Sequence, residues 1–188
     1  QPQPGFFPLL PVCSHNVNGL SLYASPADRP AIARRSRVLG DLASHLAVHK
    51  VVFDQECKFF AKESPSNYFL SRAFPKHSLF LSAHPANLRR VVENRAGVLI
   101  VAHASLSVDF SLTQVPLGSD CGGHAVAVRA TARDPTTHSD FLLVNLYLPA
   151  SDVPHKRRVL RDLASRLPSG LPSFLGGDLN LTFAPGDS

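Results

Sequence analysis

Apolar residues in this chain come in short runs, each closed by a proline, a glycine or a cluster of small polar residues. Leu9 to Val17 reads as a strand ending in the turn Asn18-Gly19. A Ser/Pro/Asp loop then delivers Asp28 as the N-cap of a helix, with Pro30 near its first position and Ile32, Leu39, Leu42 and Leu46 at helical spacing. Lys50 to Asp54 holds the continuous apolar run Val51-Val52-Phe53, the pattern of a strand covered on both faces. Further strands are predicted at Tyr68 to Leu70, Ser78 to Ser82, Gly97 to Ala102, Val108 to Val115 and His124 to Ala130, with a helical turn between Pro85 and Asn94. Phe141 to Tyr147 is the clearest strand, stopped at Pro149. Val153 to Leu167 carries Val159, Leu160, Leu163 and Leu167 at helical spacing, and Ser173 to Leu175 is a last short strand running into Gly176-Gly177-Asp178. No repeat organises the chain. The expected architecture is α/β, with helices outside two packed sheets.

Composition narrows the class. The 188 residues, 44% hydrophobic and 18% charged, fit one domain with a substantial core and not a disordered tail. Residues 12–188 are expected to form that domain behind an N-terminal extension, residues 1–11. Runs such as Gly97 to Ala102 are far shorter than the roughly 20 residues that span a bilayer, so the chain is expected to be soluble with no membrane partner. It begins at Gln1 and contains no Met, which reads as a piece of a longer protein without a targeting signal. Cys13, Cys57 and Cys121 form no CxxC and cannot all pair. That disfavours a disulfide scaffold and a zinc site, and points to an intracellular setting. A net charge of +5 and a pI near 9.5 suit a polyanionic partner.

Chemistry-bearing residues gather where strands are expected to end: Ser14 to Leu20, Asp54 to Cys57, Val144 to Pro149 and Gly176 to Asn180. Each segment alone is ordinary. Asn16 and Asn18 suit a turn, Glu56 a solvated strand end, Tyr147 a half-buried strand position, and Asp178 and Asn180 an Asx turn. His124, after Gly122-Gly123, reads as a brace at a strand start; Cys57 and Cys121 read as small apolar fillers; Lys156-Arg157-Arg158 reads as a solvated helix face.

In this order the segments resemble the endonuclease/exonuclease/phosphatase superfamily, which includes DNase I. The likeness is closest to the endonuclease domains of non-LTR (LINE-type) retrotransposons. The family's N-x-N-G-L, Q-E-T, A-G-V, G-H, N-x-Y-x-P and G-G-D-F-N motifs read here as Asn16 to Leu20, Gln55-Glu56-Cys57, Ala96-Gly97-Val98, Gly123-His124, Asn145 to Pro149 and Gly176 to Asn180. Cys57 replaces the usual Thr and Leu179 the usual Phe. The resemblance implies a four-layer α/β sandwich, two packed mixed β-sheets flanked by helices, here truncated at the C-terminus. It implies phosphodiester hydrolysis dependent on Mg²⁺ (or Mn²⁺) by a DNA-nicking domain joined to a reverse-transcriptase region and acting in the nucleus. The same scaffold serves lipid and inositol phosphoesterases, and a non-catalytic remnant is a third reading.

Such a reaction needs a cation, a base for the attacking water, and fixed donors at the phosphoryl oxygens. Glu56 is the expected ligand to Mg²⁺, with Asn16 supporting it through its amide oxygen or a water. Asp178 is expected to orient and deprotonate water, and Asn180 and Tyr147 to donate to the phosphate. The family completes its site beyond G-D-x-N with an Asp-His pair. The last histidine here is His155, so this stretch is expected to have little or no activity by itself.

Overall fold

Segments that are apolar at every position become strands covered on both faces, and those with a 3.6-residue stripe become the helices that cover them. The computed structural model describes residues 10–17, 29–57, 70–83, 97–149 and 152–180. In chain order they form β1 (Val12–Asn16), α1 (Arg29–Val48), β2 (Val51–Gln55), β3 (Ser78–Ser82), β4 (Val98–Ala102), a one-turn α2 (Leu106–Asp109), β5 (Phe110–Gln114), β6 (Ala125–Ala132), β7 (Phe141–Tyr147), α3 (Val153–Arg166) and β8 (Ser173–Asp178).

The first sheet runs β1-β2-β4-β3 and the second β5-β6-β7-β8. Each is mixed in the same way. One outer pair is parallel, β1 with β2 and β7 with β8, and the remaining neighbours are antiparallel. The sheets pack face to face, β1 against β8 and β2 against β7 and β8. Strand alternation sorts the side chains into three apolar layers. Val51, Phe53, Val98 and Ile100 meet Val126, Val128, Phe141 and Leu143 between the sheets. Val52, Leu99 and Val101 face outward onto Val38, Leu42 and Leu46 of α1. Ala127, Leu142, Val144 and Leu146 face outward onto Val159 and Leu163 of α3. The result is the expected helix, sheet, sheet, helix sandwich.

Local signals explain the boundaries. Asp152 caps α3, its carboxylate accepting from His155 N at 2.8 Å, and Pro154 sits in the first turn, where no intrahelical bond is lost. Leu160, counted in the apolar stripe, is 43% exposed, and Val159 and Leu163 do the packing. Two strand expectations miss in part. Leu70 is helical, Tyr68 and Phe69 lying outside the described residues, and Val108 lies in α2 with its side chain exposed, so β5 begins two residues later. A β-branched apolar residue is weak evidence for a strand when tertiary packing favours a turn. The expected Asn18-Gly19 turn, the Asp28 cap, the helical turn between Pro85 and Asn94, and residues 1–9 lie outside the described residues. Among the described residues no helix is long and apolar enough to cross a membrane.

Candidate active site at the strand ends

The two parallel pairs bring four strand ends to one edge of the sandwich: Asn16 and Gln55 in the first sheet, Tyr147 and Asp178 in the second. Glu56 follows β2 directly and is buried, with φ at +56°. A left-handed glutamate is uncommon and costs on the order of 1 kcal/mol or more, so its surroundings must hold it. They do so through a relay of backbone bonds, Cys57 N to Gly97 O at 2.8 Å and Gly97 N to Gly123 O at 2.7 Å.

This turn aims the Glu56 carboxylate at Asn16. The Asn16 amide Nδ2 donates to Glu56 Oε1 at 3.3 Å and to Asp178 Oδ2 at 3.1 Å. Two carboxylates from different sheets thus converge on one amide group. Asp178 is held from behind, because its Oδ1 accepts from Asn180 N at 3.0 Å in an Asx turn, and its own carbonyl accepts from Leu148 N at 2.9 Å.

The glycines ahead of Asp178 are required by space. A Cβ at Gly176 would lie 2.1 Å from Phe53 Cδ2. One at Gly177, where φ is +147°, would lie 1.9 Å from the Leu146 carbonyl oxygen. β8 reaches its place only because both positions lack side chains.

All five expected residues lie at this edge. Asn16, Glu56 and Asp178 are linked directly. Asn180 follows at φ +44°, and its Nδ2 donates to Leu148 O at 2.7 Å, so one amide N–H holds the loop and only the other is left for a phosphate. Tyr147 is opposite Asp178 in register and buried at the end of the inter-sheet layer. Its carbonyl lies 3.1 Å from His124 Nδ1, and the two rings stack at 6.2 Å, in keeping with a bracing role for His124.

Lys156 departs from its reading as a solvated residue: its Nζ donates to Asn180 O at 2.6 Å and brings a positive charge to the loop behind Asp178. Position one turn into a helix that starts beside the site was the available signal. Gln55 and Asn145, which the sequence offers only as parts of motifs, form a polar tie between the sheets, Gln55 Nε2 to Asn145 Oδ1 at 2.8 Å. The cysteines nearby are not nucleophiles. Burial, followed by the neighbouring Asp54 and Glu56 charges, pushes the Cys57 thiol well above its ordinary range, and burial first of all pushes Cys121 to about 12.

The two carboxylates are hard oxygen donors of the kind that Mg²⁺ and Mn²⁺ take, and the Asn16 amide presents its Nδ2 to both. Their convergence on Asn16 across the sheet boundary fits such an ion.

No protein-family model matches the chain, and no curated protein matches it. Solved structures do. The chain is similar to D. rerio TDP2 complexed with a single-strand DNA product (17% identity, TM-score 0.55, 93% of this chain and 62% of that one). It is similar to an endonuclease/exonuclease/phosphatase family protein from Bacteroides thetaiotaomicron (16%, TM-score 0.54, 91% and 63%). It is also similar to the endonuclease domain of TRAS1, a telomere-specific non-LTR retrotransposon (14%, TM-score 0.53, 92% and 61%). The chain therefore spans less than two thirds of the length of these structures. The chain, with two mixed sheets and flanking helices, has the fold of these endonuclease/exonuclease/phosphatase structures.

Proposed function

We propose that this chain carries the metal- and water-handling part of a phosphodiesterase site that nicks DNA, as the endonuclease domain of a retrotransposon polyprotein. The observation that carries the reading is the convergence of Glu56 and Asp178 on the Asn16 amide across the two sheets. The basic balance of the chain and the DNA product bound by one structural neighbour support a nucleic-acid substrate. Glu56 holds Mg²⁺ or Mn²⁺, with Asn16 fixing the carboxylate and supporting the ion. The ion supplies charge neutralisation at the phosphoryl oxygens. Asp178, its Oδ1 held by Asn180 N, orients the attacking water and takes its proton. The remaining N–H of Asn180 and the Tyr147 hydroxyl donate to the phosphate. Lys156 steadies the Asn180 loop and adds to the positive field that attracts the backbone. This reading expects a covalently linked reverse transcriptase and action in the nucleus.

The test is nicking of supercoiled plasmid in Mg²⁺ by the chain extended along its own gene, with Glu56→Gln and Asp178→Asn alongside. The parent is expected to nick, and each variant to lose at least about 10²-fold. Equal rates in all three, or hydrolysis of lipid or inositol phosphates with no nicking, would sink the reading. The 188 residues alone have no histidine after Asp178. They are expected to be slower still, since each preorganised donor lost costs about 10²–10³ in rate.

A further inference from the structure

On the opposite face of β1 from the sheet interior, a second group of ligating atoms has assembled. Cys13 and His15 are two residues apart on β1, and so point to the same side, toward α1. His45 in the last turn of α1 and His49 just beyond it share one side of the helix, His49 N continuing the helical ladder to His45 O at 2.8 Å. One ligand atom from each of Cys13, His45 and His49 lies within 4.8 Å of the others.

We propose that Cys13 Sγ, His45 Nδ1 and His49 Nε2 bind one Zn²⁺, with the fourth position left to water, and that this ion clamps the C-terminal end of α1 to the outer strand β1. A thiolate with two imidazoles is a borderline-soft set that selects Zn²⁺ over Mg²⁺. A sulfur about 2.3 Å and a nitrogen about 2.0–2.1 Å from one tetrahedral ion stand about 3.5 Å apart. Cys13 Sγ and His45 Nδ1 stand 3.6 Å apart. His49 Nδ1 lies 3.1 Å from His45 O, a contact that fixes the N–H on Nδ1 and leaves the lone pair on Nε2.

A separate observation points to a cation here. Asp54, paired with His15 in register and wholly buried, has two carboxylate oxygens that accept no hydrogen bond among the described residues. His15 Nδ1 stands 3.4 Å from Asp54 Oδ1, and the His15 ring is 5.1 Å from that of His45. A buried carboxylate is stabilised by positive charge nearby, which His15 gives when protonated and to which a dication across the His15 and His45 rings would add.

The experiment is Zn²⁺ titration of the demetallated 188-residue chain against a chromogenic chelator, with Co²⁺ as the spectroscopic probe in parallel. One equivalent of Zn²⁺ is expected to bind in excess Mg²⁺, and Co²⁺ to give a sulfur-to-metal charge-transfer band. Cys13→Ser should abolish that band, and His49→Gln should weaken Zn²⁺ binding by at least about tenfold. Glu56→Gln should leave both unchanged, which separates this site from the strand-end carboxylates. Absence of the band in the parent, its persistence in Cys13→Ser, or unaltered affinity in His49→Gln would overturn the proposal. If Cys13→Ser fails to fold by circular dichroism, the half-exposed His49 decides.

Discussion

Gln55 of the first sheet and Asn145 of the second are joined by an amide–amide hydrogen bond of 2.8 Å, wholly out of contact with water. The tie is wider than that pair. Asn145 Nδ2 donates to the carbonyls of Asp54 and Leu99, each at 2.8 Å, and Gln55 Nε2 also reaches Ser14 Oγ at 3.1 Å and Phe53 O at 3.0 Å. Asp54 and Leu99 form the last register pair of β2 with β4, so Asn145 closes a ladder in the sheet to which it does not belong.

Asn145→Ala is therefore expected to cost about 2–4 kcal/mol, because buried carbonyls lose their donor as well as the bond itself. Urea denaturation followed by circular dichroism measures it. A loss under about 0.5 kcal/mol would show that other groups satisfy those carbonyls.

Gly177→Ala puts a Cβ on the Leu146 carbonyl at a backbone angle that alanine rarely adopts, and is expected to cost more than about 3 kcal/mol or to prevent folding. Gly176→Ala presses first on the Phe53 ring. It should be destabilising alone and partly rescued by Phe53→Leu, a coupling that a double-mutant cycle in urea would read.

Asp140 accepts from Arg129 Nη2 at 2.8 Å and from Ala132 N at 2.9 Å. The Arg129 hydrogen bond, ahead of the opposing effect of burial, holds its carboxyl below the ordinary value. A lowered folded-state pKa stabilises the fold above the unfolded value, near 3.9, and the benefit disappears as pH falls through the folded value. Asp140→Asn is expected to cost about 1 kcal/mol at pH 7. That difference should shrink steadily below about pH 4. A difference independent of pH would assign it to shape and not to charge.

β8 is the outer strand of its sheet among the described residues, and Leu175 on it is 59% exposed. An apolar edge invites pairing between molecules. Leu175→Lys should raise the concentration at which light scattering detects association and leave stability within about 0.5 kcal/mol.

The layers were legible because burial on both faces leaves a signature in the sequence. Lys50 to Asp54, Gly97 to Ala102 and Phe141 to Tyr147 all yielded strands, and the stripes at Leu42 and Leu46 and at Val159 and Leu163 became the covering helices. Strand starts were less legible: the alternation of Val108, Phe110 and Leu112 extends back into α2, so the period alone does not show where the turn gives way to the strand. The site residues could be named through motifs lying at strand ends. Their partners could not, since hydrogen bonds such as Lys156 to Asn180 O depend on the angle at which α3 meets β8. The Cys13, His45 and His49 group escaped for a related reason. Reasoning from cysteine spacing looks for ligands in pairs along the chain, and here a strand and a helix end more than thirty residues apart supply them.

Glu56 and Asp178 belong to different sheets, and the ring of Phe53 lies between β2 and the bare backbone of Gly176. The thickness of that ring thus gauges the gap between the two carboxylates, as a shim sets the opening of a pair of jaws. Thinning or thickening the shim would retune the separation of the acidic groups without touching either one, so on the proposed reading ion preference at the strand ends would be in part a property of the hydrocarbon beneath them.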